Sequence, residues 1–302
     1  MTLYVKIFKR RKNEKMTEII LETVLDAVLD SLKTLPFLFG VYLLMEFMEH
    51  KSDNKIEKLL EKAGPFGPIA GSVLGLFPQC GFSVAASNLY VGRVISVGTL
   101  MAVYIATSDE AIPIIIAHPE SISVLWKLLL TKFILAIFFG IIIDILIKLI
   151  LKKNPDEKPF EEICSGCGCE HGIVRSAIRH SLGIFLAILI TNLVLGFVIA
   201  FVGEETISSA LMTVKPLQPV IATFVGLIPN CSASVVLTEL YLKGGLTFGS
   251  LVAGLSTGAG MGLVVLFKTN TKHIKQNIFI LTGLILIGIL CGTAIDLIGI
   301  GV

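Results

Sequence analysis

Residues 75–83 read GLFPQCGFS, and residues 226–234 read GLIPNCSAS. Each stretch lies inside a long apolar segment, about 66–91 in one case and 217–242 in the other. Each places a proline, an amide and a cysteine at the same point: Pro78, Gln79, Cys80 and Pro229, Asn230, Cys231. Proline removes a backbone donor and collides with the preceding turn, so it breaks or kinks a helix. At membrane depth such a break survives only where protein or a water-filled cavity satisfies the freed groups. Pro78 and Pro229 are 151 residues apart, and residues 68–107 align with 219–258 at that shift without a gap. Pro68/Pro219, Gly75/Gly226, Cys80/Cys231, Ser83/Ser234, Tyr90/Tyr241 and Gly98/Gly249 are identical pairs. Apolar bias inflates Leu and Val matches, but it does not produce a shared Pro-amide-Cys triplet. The last segments match with a one-residue slip, Gly140 and Asp144 against Gly292 and Asp296.

The rest of the chain fits a membrane setting. It has 302 residues, 54% of them hydrophobic, and a mean hydropathy of +0.85. Charged residues make up 16%, against about 25% in a soluble domain. Eight apolar segments stand out, near 32–49, 66–91, 94–117, 124–151, 176–203, 217–242, 246–268 and 276–300. Each has about the twenty residues that cross a hydrocarbon core. If the two Pro-bearing segments are broken pieces, the count rises toward ten. The fold expected is an all-α polytopic helical membrane protein of two repeated halves, with eight to ten transmembrane elements. Residues 1–31 read as a basic N-terminus followed by an amphipathic interfacial helix, with Glu18, Glu22, Asp26 and Asp30 as a solvated row. No compact apolar core with a small-residue cleavage site follows the basic stretch, so it does not read as a signal peptide. Residues 32–151 form the first repeat, 152–175 a cysteine-bearing central loop and 176–302 the second repeat.

Repeated halves with discontinuous helices are the architecture of secondary transporters, whose substrate site lies at the repeat interface. The substrate-binding set expected is therefore Pro78, Gln79, Cys80 and Ser83 with Pro229, Asn230, Cys231 and Ser234. The amides want partners at membrane depth, and a thiol is a soft ligand for soft metals and metalloids. A basic N-terminus argues for a cytoplasmic start. A cytoplasmic central loop would make the halves parallel. A fifth element in each half, which the Pro breaks allow, makes them inverted, and that reading is favoured.

Six carboxylates fall within apolar segments: Glu46, Asp109, Glu110, Asp144, Glu239 and Asp296. Asp109 and Glu110 are the sharpest pair. Adjacent carboxylates repel, so one stays protonated more readily, which suits a proton relay or a cation ligand, and a coupling role is expected for them. The second half has Gly260 and Met261 there, within STGAGMG at 256–262. The other four read as interface or structural groups. The central loop holds Cys164, Cys167, Cys169 and His171, three thiolates and an imidazole in metal-ligand spacing. An inert linker is the competing reading. His118 and His180 read as single histidines near span ends. No phosphate-binding loop, catalytic triad or HExxH pattern is present, so neither ATP drive within this chain nor an enzyme is expected. No cofactor is expected either.

At PQCGFS and PNCSAS, with TSDEA at 107–111 and the cysteine-bearing loop, the chain resembles a family of ten-span heavy-metal exporters labelled arsenic efflux protein or manganese transporter. The resemblance spans roughly residues 16–302. It also extends to the wider arsenical permeases, which carry a Pro-x-Cys element in a membrane helix. It implies functional weight for Pro78, Cys80, Pro229 and Cys231, and for Asp109 and Glu110. The function expected is a secondary transporter of the cell membrane exporting a heavy metal or metalloid, arsenic(III) first. Manganese(II), held by Asp109, Glu110, Asn230 and Gln79, is the competing cargo, and a small anion at half-helix N-termini is a third. A membrane thiol-redox protein is the alternative of a different class. The partners expected are the bilayer, the transported ion, a proton or other coupling ion and further copies of the chain, with no nucleic acid.

Overall fold

The computed structural model describes residues 20–21, 23–36, 38–40, 42–43, 66–77, 79–108, 111–118, 121–150, 173–202 and 217–299. Pro78, Asp109, Glu110, Cys164, Cys167, Cys169 and His171 lie outside them. Every regular element among the described residues is helical.

Proline and glycine punctuation sets the helix ends. Helix α1, Gly67–Gly75, starts with Pro68 in its first turn, where a missing N–H costs nothing. It ends three residues before Pro78, and the chain restarts as α2, Cys80–Val91, after an extended Gln79 with φ −159° and ψ 124°. Gln79 is the N-cap of α2, a position that takes extended rather than helical backbone. Helix α3, Val97–Ala106, follows a tight turn, and α4, Ala111–Ile116, and the long α5, Ile122–Ile150, complete the first half. Helix α6, Ile173–Val202, comes next. The second half runs α7 Gln218–Gly226, α8 Cys231–Leu242, α9 Phe248–Thr257, α10 Met261–Thr269 and α11 Ile274–Ile298.

A shift of 151 residues carries both ends of α1, α2 and α3 onto those of α7, α8 and α9. The shared detail extends to the caps. Val94 N–H donates to Leu89 at 2.9 Å and Gly245 N–H donates to Leu240 at 2.8 Å, closing α2 and α8 in the same way. The residue that must take positive φ for this closure is Arg93 in one half, φ 60°, and Gly244 in the other, φ 74°.

Two breaks were not expected from the sequence. The segments 94–117 and 246–268 read there as unbroken, but the chain leaves α3 at Thr107 (ψ 130°) and α9 at Gly258 (ψ 58°). In the second half Gly260, at φ 53° and ψ −137°, makes the turn. That backbone is open to glycine and costly for other residues. Four discontinuous elements therefore surround the centre.

Helix α3 is packed between α1 and α5, and α9 between α7 and α11. Both middle helices are buried along nearly their whole length. The crossings rest on glycine. A Cβ on Gly140 would come within 2.8 Å of the Gly98 carbonyl oxygen, and one on Gly292 within 2.8 Å of that of Gly249. Small residues let helix backbones approach where no hydrophobic drive acts between helices. The halves also exchange partners: α2 packs on α10, and α8 on α4.

The outer faces are apolar. On α5, Trp126, Leu130, Ile134 and Phe138 recur every fourth residue and are exposed; on α6, Ile178, Leu182, Leu186, Ile190, Val194 and Val198 do the same. Continuous apolar stripes of this length face lipid rather than water. Five stretches among the described residues are long and apolar enough to span: Val97–Ile116, Ile122–Leu149, Ala177–Val198, Phe248–Thr269 and Thr271–Ile298.

Candidate functional site

The two Pro-amide-Cys breaks put Cys80 and Cys231 at the first residues of α2 and α8. Both are half-buried. A helix N-terminus carries partial positive charge from its unpaired N–H groups. The serines that follow are turned onto their own helices. Ser83 donates to the Cys80 carbonyl and Ser234 to the Cys231 carbonyl, each at 2.8 Å.

The two amides differ. Asn230 caps α8, its Oδ1 accepting from Ser232 N at 3.0 Å and from Ser232 Oγ at 3.1 Å. Gln79 makes no such cap; its Nε2 reaches the Lys33 carbonyl at 3.4 Å, in the N-terminal helical stretch. The repeat thus preserves an amide at this point while assigning it different partners in the two halves.

A small cavity of about 20 Å³ opens beside Asn230, roughly the room one water needs. Thr107, Ser108, Asn230, Ser234, Leu255 and Gly258 are among its walls. Two of the expected site residues, Asn230 and Ser234, therefore meet the break between α3 and α4 and the break between α9 and α10. Asp109 and Glu110 follow Ser108 directly in the chain. Gln79, Cys80, Ser83 and Cys231 do not line this cavity. Among the described residues no three His, Cys, Asp or Glu side chains cluster as a metal shell.

The remaining apolar-segment carboxylates that are described have structural partners. Asp144 accepts from Gly98 N at 2.8 Å and from Ser96 Oγ at 2.7 Å, at the start of α3. Asp296 accepts from Gly249 N at 2.8 Å and from Thr247 Oγ1 at 2.7 Å, at the start of α9. Each carboxylate thus satisfies the orphan donors at a helix N-terminus and complements its dipole. Glu239 pairs with Lys243 at 2.6 Å, one turn further along α8.

Sequence reading passed over Lys132. It lies within the apolar helix α5 and is fully buried. Its Nζ donates to the Thr107 carbonyl and, at 2.8 Å, to the Leu255 carbonyl, so it joins two walls of the cavity. The signal was present: a lysine in the middle of a long apolar run is costly unless paired. Ser87 also follows the Pro78 break, on α2. Its Oγ lies 2.7 Å from the buried Tyr104 hydroxyl and 2.8 Å from the Gly262 carbonyl, tying α2 and α3 to the first turn of α10.

A family model described as "Putative, 10TM heavy-metal exporter" matches residues 15–208 and 191–301. No curated protein matches the chain, and neither does any solved structure.

Proposed function

Because the chain belongs to the family of ten-span heavy-metal exporters, we propose that it exports arsenic(III) across the cell membrane as an ion-coupled secondary transporter. The observation that carries this reading is the pair of half-buried thiols at the starts of α2 and α8. Arsenious acid is neutral near pH 7 and exchanges its hydroxyls for thiolate sulfur, a soft ligand that suits a soft centre. In this reading Pro78, Gln79, Cys80 and Ser83 with Pro229, Asn230, Cys231 and Ser234 form the substrate path. Asp109 and Glu110, next after the cavity wall at Ser108, carry the coupling proton. Cys164, Cys167, Cys169 and His171 form a capturing loop for the metalloid.

In this reading the two halves are inverted, and access to the site alternates between the two sides of the membrane. Three contacts support this. Helix α2 runs parallel to α10, since Ser83 lies against Gly262 at one end and Arg93 within 3.5 Å of His273 at the other. Helices α2 and α3 fold back on one another, with Ser87 meeting Tyr104. Phe248–Thr269 and Val97–Ile116 each count as one span despite their breaks. An α2 that is antiparallel to α3 but parallel to α10 makes α3 and α9 oppose one another. Inverted repeats rock about a fixed central site in this way.

Manganese(II) is the second reading, and it needs oxygen ligands. Asn230 and Gln79 are its candidate amides, but Asn230 already caps α8 and Gln79 already reaches backbone. The test is accumulation by everted vesicles offered arsenite, a methylated arsenical and manganese, read by elemental analysis. Wild type is compared with Cys80→Ser/Cys231→Ser and Asp109→Asn/Glu110→Gln. Arsenic accumulation that disappears with the thiols supports the proposal. Manganese accumulation that survives loss of the thiols and fails without the carboxylates replaces arsenic by manganese.

A further inference from the structure

The two halves pack their broken helices differently. Helix α1 lies tight along α3, where a Cβ on Gly71 would come within 2.8 Å of the Thr99 carbonyl oxygen. Helix α2 stands off from α1, and an apolar groove of about 290 Å³ lies between the two, floored by α3. An apolar cavity of ~150 Å³ already stays dry and takes up benzene. The middle of the groove is lined by small residues, Ala70 and Gly71 on α1 and Ala85 and Ala86 on α2. Shifted by 151 residues, these positions are Ile221, Ala222, Val236 and Leu237. Val236 and Leu237 are buried, and Ile221 packs against the same core. In the second half, side chains of the protein therefore occupy the corresponding space. The mouths differ in the same sense. Gln218 bridges from α7 to the turn before α9, its Nε2 donating to the Gly245 carbonyl at 3.0 Å and its Oε1 accepting from Thr247 N at 3.4 Å. Its counterpart is Gly67, which has no side chain to bridge with. Bulk returns at Phe82, in the first turn of α2, and at Val103, deep in α3, where the second half has Ala233 and Gly254.

The groove lies at hydrocarbon depth and opens on the bilayer. It follows α3 from Ser96, just before the spanning stretch Val97–Ile116, to Val103, about 10 Å. That is about two thirds of one leaflet of a ~30 Å core. Two of its walls, Phe66 and Leu74, are exposed, as are the lipid-facing stripes of α5 and α6. The hydroxyls at its mouth are engaged: Ser96 Oγ donates to Asp144 at 2.7 Å and lies 2.8 Å from Thr99 Oγ1. Water needs two to four polar partners, whereas a lipid tail is as apolar as the side chains it would touch. Spread over its length, the groove has a cross-section of about 30 Å². That admits an extended hydrocarbon chain but not a helix, whose diameter is about 10–12 Å. We propose that the groove between α1 and α2 binds one acyl chain of a bilayer phospholipid, entering beside Ser96 and ending against Phe82 and Val103. The acyl chain fills the space that Ile221 and Val236 fill in the second half. Gln79, Cys80 and Ser83 are not among the walls, so the site is separate from the cargo path and rests on the membrane setting alone.

The test is photolabelling with a phosphatidylcholine whose acyl chain carries a diazirine. The full chain is reconstituted with this probe, extracted into lipid-free detergent, freed of unbound lipid by gel filtration and irradiated. Peptide mass mapping locates the adducts. Wild type keeps the probe in the groove, so adducts concentrate on peptides of α1, α2 and α3, while the exposed stripes of α5 and α6 shed their lipid and carry few. Ala70→Ile/Ala85→Val places the second half's side chains in the groove. This variant unfolds at or above the wild-type temperature, and its α1–α3 adducts fall to the level of α5 and α6. Ala85→Val alone, the smaller change, lowers them in part. Wild-type adducts that are absent, or spread evenly over α1–α3 and α5–α6, overturn the proposal whatever the variants do. Adducts that persist undiminished in the folded double variant overturn it too. A wild type that runs as a dimer without probe, and as a monomer once the groove is filled, assigns the groove to a second copy of the chain and likewise overturns it.

Discussion

Asp296→Ala tests whether the carboxylates at the starts of α3 and α9 are anchors or part of the transport chemistry. Asp296 accepts two bonds, 2.8 Å from Gly249 N and 2.7 Å from Thr247 Oγ1, at the N-terminus of a buried helix. Hydrogen bonds to a charged group contribute roughly 1.5–3 kcal/mol each, and a carboxylate in the first turn adds about 0.3–1 kcal/mol through the dipole. Thr247 Oγ1 keeps its 2.6 Å contact with Ser250 Oγ, so part of the loss is recovered. A net cost of about 3 kcal/mol follows, or about 5 °C in the unfolding midpoint of a chain of this size. Asp296→Asn retains the acceptor facing Gly249 N and costs about 1 kcal/mol. Asp144→Ala repeats the loss in the first half, where Gly98 N and Ser96 Oγ are the donors. The two sites share no partner, so the double variant loses the sum to within about 0.5 kcal/mol. Thermal unfolding in detergent reads the stability, and vesicle uptake of the proposed cargo, arsenite, reads the transport KM, which stays at the wild-type value in whatever fraction is folded. An Asp296→Ala protein that unfolds at the wild-type temperature but loses transport, or shifts KM, would refute the anchor assignment.

Two further outcomes follow from the packing. Gly226→Ala drives a methyl into the Gly254 carbonyl on α9; overpacking of this kind costs about 1–3 kcal/mol or more, read as a lowered unfolding midpoint, whereas Gly183→Ala, with open space around it, leaves the midpoint unchanged. Thiol labelling of wild type modifies the half-buried Cys80 and Cys231 faster than the buried Cys291, and arsenite slows labelling of the first two alone; equal protection of Cys291, measured by peptide mass mapping, would contradict a site at the paired breaks.

Much of this was legible in the chain itself. Apolar runs of about twenty residues, interrupted twice by proline, can satisfy their backbone only as membrane helices with local breaks. Both Pro breaks are where the sequence put them, between Gly75 and Cys80 and between Gly226 and Cys231. Proline acts on its own turn, so its effect needs no partner. The breaks after α3 and α9 were less visible. TSDE and GAG are polar or small, and whether such a stretch bends depends on what the neighbouring helices offer its freed backbone groups.

The chain alone determined the class, an all-helical membrane protein punctuated at Pro78 and Pro229, because hydropathy and proline geometry are local properties. Only the tertiary structure decided what each charge within an apolar run does. Asp144, Asp296 and Lys132 look alike in the sequence, ionisable groups within apolar runs. The first two face helix N-termini and the third faces two C-termini. A charge in a low-dielectric interior takes its role from the dipoles it meets across the packing, and residues far apart in the chain, such as Lys132 and Leu255, meet only when the two halves fold together.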